Sequence, residues 1–254
     1  MSTTKLRPIN SLAIALDPAL LMAELALPPD PWQRDALRSE SKRMLLLASR
    51  QSGKSTTTAC LALHTALYRC NSLILLFAPS QRQSTELFRK VLAFYYALGR
   101  PVRATREMAT SLELVNGSRI VSLPGDPVTV RCYSGVWMAI VDEAALVIDG
   151  LFAAVMPMLA VSRGRMICLS TPFGRRGWFH EAWESTGTWH RIKAKATECP
   201  RIDPEFLEEQ RGLLGPRYYC QEYECEFVEA IDQVFSTESI LAMFDSDVPA
   251  LAGV

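Results

Sequence analysis

Gly53, Lys54 and Ser55 are the first residues of this chain whose types and spacing could do chemistry. They follow the apolar run 44–47 and precede residues 57–68, where Ala, Leu and Cys recur at helical spacing without Gly or Pro. A strand, Gly-Lys-Ser and a helix form the context of a phosphate-binding P-loop, because the unpaired N–H groups and the dipole at a helix start favour an anion. In such a loop Gly53 permits a tight turn, Lys54 reaches the β- and γ-phosphates, and Ser55 ligates Mg²⁺.

The loop departs from the strict P-loop pattern at one position. That pattern, G-x-x-x-x-G-K-[ST], has Gly where this chain has Ala48. Arg50 lies inside the loop, within reach of a γ-phosphate, where an arginine could stabilise transition-state charge. The candidate nucleotide-binding residues of the loop are Ser49, Arg50, Gln51, Ser52, Gly53, Lys54, Ser55 and Thr56.

Asp142 and Glu143 directly follow the apolar run 138–141, so a buried strand delivers two carboxylates at its carboxyl end. In α/β sheets, ligands bind at that end of the strands. Asp142 could hold Mg²⁺ together with Ser55, and Glu143 could deprotonate the water that attacks a γ-phosphate. The alternative is structural: an Asp that caps the following helix, with a Glu in its first turn. The Gly-Lys-Ser segment upstream favours the catalytic interpretation.

Three further features carry weaker signals. Ser170, Thr171 and Pro172 end an apolar run and could sense a γ-phosphate, although such a sequence is commonly only a turn. The amide of Gln33 could pair with both the donor and the acceptor of an adenine edge, or it could be a solvated helix residue. Arg131 precedes the acidic pair and could reach a transferring phosphate, or it could be an ordinary surface arginine.

Strands and helices alternate along the chain in a way that would position these residues. Apolar runs and period-two patterns predict strands at 44–47, 72–79, 137–141, 165–170, 189–196 and 225–228, and a hairpin of 112–115 with 119–123. Helical patterns run at 17–27, from 32 onward, and at 57–68, 81–98, 151–160, 177–184, 204–214 and 216–222. The alternation predicts an α/β fold with a doubly wound, mainly parallel central sheet flanked by helices.

Composition excludes several classes of protein. The 254 residues are 49% hydrophobic with zero formal net charge, and the apolar runs are far shorter than the about 20 residues of a bilayer span. Seven scattered cysteines without C-x-x-C, and three histidines, argue against a zinc site and for reduced thiols. Basic residues are enriched locally at 82–106 and 163–176, which is either a binding face or an ordinary solvated surface.

Taken together and in this order, the motifs resemble the ATPase domain of the large terminase subunit of tailed bacteriophages. The resemblance covers about residues 25–235 and depends on order and spacing, because no single motif would suffice. The motifs that carry it are Trp32-Gln33, Ser49-Arg-Gln-Ser-Gly-Lys-Ser-Thr56, Arg131-Cys-Tyr-Ser-Gly135, Val141-Asp-Glu-Ala144, Ser170-Thr-Pro-Phe-Gly-Arg-Arg-Gly-Trp178 and Tyr219-Cys-Gln-Glu-Tyr-Glu-Cys-Glu-Phe227.

The resemblance implies a P-loop NTPase of the ASCE, RecA-like class that uses ATP and Mg²⁺ to move double-stranded viral DNA into a procapsid. It assigns Arg50 to a P-loop arginine that acts within its own subunit, and Arg131 to a position that in some members reaches the neighbouring subunit. By the same resemblance, Gln33 matches the residue that recognises adenine, and Gly53, Lys54 and Ser55 match the residues that bind phosphate and Mg²⁺. Asp142 matches the Walker B aspartate and Glu143 the catalytic glutamate. The coupling motif is matched by Ser170, Thr171 and Pro172.

The resemblance also implies partners and a division into domains. A portal protein, a small terminase subunit and a homo-oligomeric ring are expected, in the cytoplasm of the infected bacterial host and without a membrane; the isolated domain could be a monomer. We expect an arm and short helix at 1–30, the ATPase domain at 31–232, and a tail or start of a linker at 233–254. Asp232, Asp245 and Asp247 follow the ATPase pattern, but too few residues remain for a nuclease, so nuclease activity is not expected.

Two alternatives to a packaging motor stay open from the sequence. One is another nucleic-acid-dependent P-loop ATPase of the helicase type, although that class usually needs a second lobe of similar size. The other is a nucleotide-binding assembly module that does not turn over ATP. Glu143 argues against the module, because a pure sensor needs no general base.

Overall fold

The computed structural model describes residues 12–229 of the chain. Within that range the strands are β1 (Arg43–Ala48), β2 (Leu73–Ala78), β3 (Ala104–Met108), β4 (Ser111–Leu114), β5 (Arg119–Pro124), β6 (Met138–Asp142), β7 (Arg165–Ser170) and β8 (His190–Ala194). The α-helices are α1 (Leu12–Leu16), α2 (Pro18–Glu24), α3 (Pro31–Arg38), α4 (Lys54–Tyr68), α5 (Gln81–Ala97), α6 (Gly150–Met158), α7 (Gly177–Glu184) and α8 (Pro204–Glu222). Short 3₁₀-helices lie at Thr129–Cys132, Ala144–Leu146 and Ala196–Glu198.

These strands form one mixed sheet in the order β3-β4-β5-β2-β6-β7-β1-β8. The six strands from β5 to β8 pair in parallel, whereas β4 is antiparallel to both β3 and β5. A single strand, β7, separates β1 from β6. The P-loop therefore follows the carboxyl end of β1, and the acidic pair lies at the carboxyl end of β6, with β7 between the two strands. Parallel α/β sheets bind ligands at the carboxyl ends of their strands.

Successive residues of the strands enter two hydrophobic cores, one on each face of the sheet. In β1, Met44 and Leu46 belong to the core that also contains buried residues of α2 to α5. Leu45 and Leu47 belong to the core that contains buried residues of α6 and α7. Burial on both faces explains why the sequences of the parallel strands are continuous apolar runs.

Most of the predicted elements are confirmed, and the structure gives β7 and α7 the predicted bounds. The Asn116-Gly117 turn joins antiparallel β4 and β5 as predicted, with Gly117 at φ 82°. The sequence missed β3, whose residues are mostly exposed and follow no apolar run, because it pairs only at the edge of the sheet. Gly215, at φ 72°, breaks α8 between the two helices predicted at 204–214 and 216–222.

One predicted strand, at 225–228, is wrong. Cys225 has a left-handed backbone with φ 56°, which an extended strand does not allow, and the residues after it have no strand assignment. Its thiol donates to the carbonyl of Ala194 at 3.3 Å, so this segment contacts the end of β8 through a side chain rather than through a ladder.

The amino-terminal helices pack onto the same core as the sheet. Asp17 caps α2 by accepting from the backbone N of Ala19 at 3.0 Å, as predicted. Leu21 and Met22 of α2 are fully or almost fully buried in the core beside α4. Residues 1–11 and 230–254 lie outside the described range, and the division into domains stays a prediction. Across residues 12–229, no helix combines the length and the apolar character that a membrane crossing needs.

Candidate functional site

A cavity of about 1240 Å³ opens at the carboxyl edge of the sheet, over the amino end of α4. Every predicted P-loop residue from Ser49 to Thr56 lines it, and so does Glu143. Thr171 and Pro172 line it beyond β7, and Gln33 lines it from α3. One concave site thus collects residues from seven separate segments of the chain, the last being the end of α8.

The P-loop turns through two residues with left-handed backbone, Gln51 at φ 60° and Gly53 at φ 96°. At Gly53 an added Cβ would lie 2.8 Å from the Nε2 of Gln33, so a larger residue there would also collide with the α3 side chain. Ala48, where the strict pattern has Gly, is not among the left-handed residues and is buried in the core at the end of β1. The departure from the strict pattern is therefore tolerated, because only the backbone of residue 48 takes part in the loop.

Lys54 points back into the loop that it terminates. Its Nζ donates to the carbonyls of Ala48 at 2.8 Å and Ser49 at 3.0 Å, and the residue is only 7% exposed. Burial lowers the pKa of Lys54, and the nearby carboxylates of Glu143 and Asp142 oppose that shift. An ammonium group is therefore held among backbone oxygens and two acids, in the position that a polyphosphate would neutralise.

Ser55 and Asp142 join the P-loop helix to the end of β6. The Ser55 hydroxyl donates to Oδ2 of Asp142 at 3.0 Å, and the backbone N of Glu143 donates to Oδ1 at 3.0 Å. Asp142 is 8% exposed, and burial raises its pKa against the opposing effects of Ser55 and Lys54. A hydroxyl beside a carboxylate is the donor set that Mg²⁺ takes from a protein when substrate phosphates and water fill its other positions.

That donor set fits Mg²⁺ better than a transition metal. Over residues 12–229, no cluster of three or more His, Cys, Asp or Glu side chains could hold a metal ion on its own. Magnesium is commonly bound through one or two carboxylates and the phosphates of its nucleotide, so the sparse set agrees with a nucleotide-dependent site.

Glu143, like Gln51 in the P-loop, has a strained backbone. Its backbone is left-handed at φ 48° and ψ 46°, a conformation that costs a non-glycine residue about 1–3 kcal/mol and that is concentrated at functional sites. Burial raises the pKa of Glu143, and the positive charge of Lys54 opposes the rise. A half-buried carboxylate of this kind is a stronger proton acceptor than a surface glutamate.

Gln33 occupies a buried position between α3 and the P-loop. Its Oε1 accepts from the backbone N of Asp30 at 2.8 Å, and its Nε2 donates to Thr57 Oγ1 at 3.0 Å. It is 1% exposed, so the solvated alternative is wrong. Each end of the amide keeps one further hydrogen-bonding position, a donor and an acceptor, because a primary amide offers two of each.

The two candidate arginines have different places. Arg50 lines the cavity, and its Nε donates to Glu222 Oε2 at 2.5 Å. Arg131 lies in the 3₁₀-helix Thr129–Cys132, is exposed, and is not among the residues that line the cavity. The structure therefore brings Arg50 to the site within one chain and leaves Arg131 outside it.

The Ser170-Thr171-Pro172 segment contacts the loop that follows Glu143. Ser170 is fully buried, and its Oγ accepts from the backbone N of Ala145 at 3.2 Å. Further along, Arg175 donates from Nε to the carbonyl of Phe227 at 3.2 Å. The end of β7 thus has contacts with the acidic loop on one side and with the segment after α8 on the other.

Arg201 and Asp30 are site residues that the sequence analysis missed. Asp30 is 7% exposed and receives both terminal nitrogens of Arg201, at 2.9 and 2.6 Å. Nη2 of Arg201 also donates to the P-loop carbonyl of Ser52 at 3.0 Å. The only local feature of the sequence at this position is Asp30 before Pro31, a pattern typical of the start of a helix. That pattern predicts a helix cap but does not predict an ion pair with a residue as distant as Arg201. Arg201 sits in a loop with no motif of its own.

Ser49 completes the description of the loop. Its hydroxyl is buried and has no hydrogen-bond partner within the described part of the chain. The Ser52 hydroxyl, in contrast, donates to the Ser49 carbonyl at 2.7 Å and stabilises the turn. An unpaired buried hydroxyl in a loop of this shape is a position that a bound ligand or water could satisfy.

The chain is similar to known proteins by family profile, by sequence and by fold. The family profile described as terminase large subunit, T4likevirus-type, N-terminal matches residues 45–242. The large terminase subunit of Escherichia phage T5 is 26% identical over 200 residues, which is 74% of this chain and 44% of that protein. This chain therefore spans less than half the length of that curated relative.

Solved structures share the fold at lower identity. The large terminase ATPase domain of Thermus phage P74-26 has a TM-score of 0.71 at 22% identity, covering 88% of this chain and all 100% of that one. A large terminase from another thermophilic bacteriophage, in complex with ADP, has a TM-score of 0.65 at 11% identity, covering 79% of this chain and 54% of that one. With a profile match over most of its residues and this fold, the chain belongs to the T4likevirus-type terminase large subunit family and matches its N-terminal part.

Proposed function

We propose that this chain hydrolyses ATP with Mg²⁺ and that the hydrolysis moves double-stranded viral DNA into a procapsid. The observation that carries the proposal is the contact between Ser55 and Asp142 at 3.0 Å, with Lys54 and Glu143 beside it. Residues from segments far apart in the sequence thus meet at one cavity, which supports a phosphate-binding role for the P-loop and a general-base role for Glu143.

The P-loop binds the polyphosphate of ATP. Backbone N–H groups at the start of α4 face the phosphates, and Lys54 exchanges its contacts with the Ala48 and Ser49 carbonyls for phosphate oxygens. Ser55 and Asp142 would hold Mg²⁺, which would supply positive charge to balance that of the phosphates. The cavity extends from the P-loop to Gln33, whose remaining donor and acceptor match the N7 and N6 positions of adenine.

Glu143 acts as the general base. It accepts a proton from the water whose oxygen forms a bond to the γ-phosphorus, while the bond from that phosphorus to the β-bridging oxygen breaks and ADP leaves. Arg50 stabilises the charge that develops on the transferring phosphoryl group, from its place on the cavity wall. Arg131 does so only from a neighbouring subunit, because it lies outside the cavity of its own chain.

Ser170, Thr171 and Pro172 pass the loss of γ-phosphate to the rest of the domain. Their support is the Ser170 hydrogen bond to the loop after Glu143 and the place of Thr171 and Pro172 on the cavity wall. The partners of the motor, proposed from the family, are double-stranded DNA, a portal protein, a small terminase subunit and further copies of this chain in a ring. The host cytoplasm is the proposed location.

Glu143→Gln tests the proposal in a direct way. The substitution keeps the shape of the side chain and removes the base, so we expect ATP binding to persist and hydrolysis to fall by about 10²–10⁴-fold. Release of phosphate, with and without double-stranded DNA and across protein concentrations, is the measurement. Glu209→Gln, on the exposed face of α8, is the matched control and should hydrolyse ATP like the unchanged protein.

The same experiment separates the motor from an assembly module. Binding of ATP without hydrolysis in both the unchanged protein and Glu143→Gln would overturn the enzymatic proposal and support a nucleotide-binding module. Hydrolysis that does not respond to DNA would leave the ATPase in place and overturn its coupling to translocation.

A further inference from the structure

Thr57 is the residue of the P-loop helix that contacts the side chain of Gln33. Its Oγ1 accepts from Gln33 Nε2 at 3.0 Å and donates to the carbonyl of Gly53 at 3.0 Å. A carbonyl can only accept, so the Thr57 hydroxyl uses its one proton on that side. Towards Gln33 the hydroxyl can therefore act only as an acceptor, and its partner must be the nitrogen of the amide.

Asp30 determines the other end of the same amide. Its backbone N–H donates to Gln33 Oε1 at 2.8 Å, and an N–H group can only donate. Rotating the amide by half a turn would set a donor against a donor at Asp30 and an acceptor against an acceptor at Thr57. The hydrogen-bond partners of Gln33 therefore allow one orientation of its amide.

The surroundings of Gln33 hold the amide closely. Gln33 and Thr57 are each 1% exposed. An added Cβ at Gly53 would lie 2.8 Å from Gln33 Nε2, so this nitrogen lies against the turn of the P-loop. Because Gln33 also lines the cavity, the second donor of Nε2 and the second acceptor position of Oε1 remain for a ligand there.

We propose that Thr57 is a positioning residue for base selectivity, whose hydroxyl fixes the Gln33 amide in the orientation that favours adenine over guanine or hypoxanthine. This deepens the proposed function and rests on it, through the contact of Gln33 with the base. Thr57 acts on the base only through Gln33.

The hydrogen-bonding edges of the purines explain the preference. Adenine presents an N7 acceptor and an N6 donor, which match the remaining donor and acceptor of the fixed amide. Guanine presents two acceptors, N7 and O6, and hypoxanthine has the same edge. In the same position either base would set its O6 against Gln33 Oε1, and two buried acceptors that face each other without a proton are costly.

The test is the ratio of ADP to inosine diphosphate affinity in Thr57→Val, measured by calorimetry with Mg²⁺. The two nucleotides differ only in the base and carry no γ-phosphate, so the ratio reports selectivity apart from turnover. Valine has nearly the shape of threonine but offers no acceptor to Gln33 Nε2. We expect the ratio to fall by about two- to ten-fold, the range of one hydrogen bond. Thr57→Ser keeps the hydroxyl and should keep the ratio.

Thr65→Val is the matched control. Thr65 lies on the same helix, is buried, and donates from Oγ1 to the carbonyl of Leu61 at 2.8 Å, four residues earlier, as Thr57 does to Gly53. It lies about 12 Å further along the helix axis and should leave the ratio unchanged. Thr57→Ala removes the same hydroxyl with less bulk and should lower the ratio in the same direction. Thermal unfolding of each variant shows whether it is folded.

A Gln33→Ala background isolates the contact. There Thr57→Val should change the ratio no further, because the amide that Thr57 orients is gone. An unchanged ratio in both Thr57→Val and Thr57→Ala, equal losses of affinity for the two nucleotides, or a fall that persists without Gln33 would each overturn this inference. Equal affinity of the unchanged protein for both nucleotides would also overturn it. Absence of ATP hydrolysis together with the expected ratios would overturn only the proposed catalysis.

Discussion

The two halves of the candidate site differ in how the fold holds them. The acidic half, built by Ser55, Asp142 and Glu143 around Lys54, lies at the end of a fully buried strand and at the start of a buried helix. The arginine half is on the surface: the Arg50 side chain is 69% exposed, and Arg131 is exposed and outside the cavity. The buried half is already assembled, whereas Arg50 is paired with Glu222 and Arg131 lies outside the cavity.

This difference follows from the energetics of burial. A buried charge is tolerated only where partners surround it, so the fold that buries Lys54 and Asp142 also fixes their geometry. An exposed ion pair such as Arg50–Glu222 contributes about 0–1 kcal/mol and is easily exchanged for another acceptor. Under the proposed function, we therefore expect nucleotide binding to depend on the rigid half and the rate of hydrolysis to depend on the exposed half.

Substitution of the arginines should have the largest effect. We expect Arg50→Ala to lower the rate of ATP hydrolysis by about 10³–10⁵-fold at every protein concentration, since Arg50 lines the cavity of its own chain. Arg131→Ala should matter only where copies of the chain assemble, and its loss should then depend on protein concentration. Hydrolysis measured over a concentration series for both variants, with Arg82→Ala on the exposed face of α5 as control, gives the comparison.

Mixing the variants decides where Arg131 acts. If it reaches a neighbouring site, a mixture of Arg131→Ala with Lys54→Ala should regain part of the activity that neither has alone. Recovery of activity would show that Arg131 acts on the site of a neighbouring subunit. If Arg131→Ala instead lost most of its ATP hydrolysis by the same factor at every dilution, Arg131 would act within its own chain. That result would contradict the expected difference between the two arginines.

Lys54→Ala tests the rigid half. Truncating one partner of a buried, hydrogen-bonded charge cluster typically costs about 2–5 kcal/mol, so ATP and ADP should both bind at least about 30-fold more weakly. Lys42→Ala, an exposed lysine just before β1, should bind both nucleotides normally. Fluorescence titration with labelled nucleotides measures the two affinities. Retention of ADP binding in Lys54→Ala would show that the P-loop backbone alone carries it.

The sequence predicted the rigid half and the elements that carry it. Gly53, Lys54, Ser55, Asp142 and Glu143 all lie at strand ends or helix starts, where local pattern determines position, and all of these line the cavity or contact a residue that does. The same local rules gave β7, α7 and the β4–β5 hairpin.

What could not be predicted depends on contacts between distant segments. The pairing of Arg50 with Glu222 and of Asp30 with Arg201 joins residues 172 and 171 positions apart, and no local pattern encodes either. The strand predicted at 225–228 failed for the same reason, since Cys225 is held at φ 56° in a segment that contacts β8. A β-branched or apolar pattern cannot reveal such a constraint, because tertiary contacts override propensity.

Substitutions in the Asp30–Arg201 pair should give the smallest of these effects. In burial the pair is intermediate between the two halves, because the Asp30 side chain is 7% exposed and that of Arg201 is 49% exposed. Arg201→Lys keeps the positive charge but loses the bidentate hydrogen bonds to Asp30 and the hydrogen bond to the Ser52 carbonyl. We therefore expect ATP affinity to fall by about two- to five-fold. Asp30→Asn keeps a good helix cap and loses the charge, and should have a similar effect. Titration with labelled ATP measures the affinity of each variant.

The double variant of Asp30 and Arg201 should be no weaker than the weaker single variant, because both changes break one interaction. Arg38→Lys is the matched control. Arg38 forms a similar ion pair with Asp17, at 2.7 Å, on the surface and outside the cavity. Weakening that ion pair should change thermal stability without changing ATP affinity. Additive losses in the double variant would mean that Arg201 and Asp30 act on the nucleotide separately.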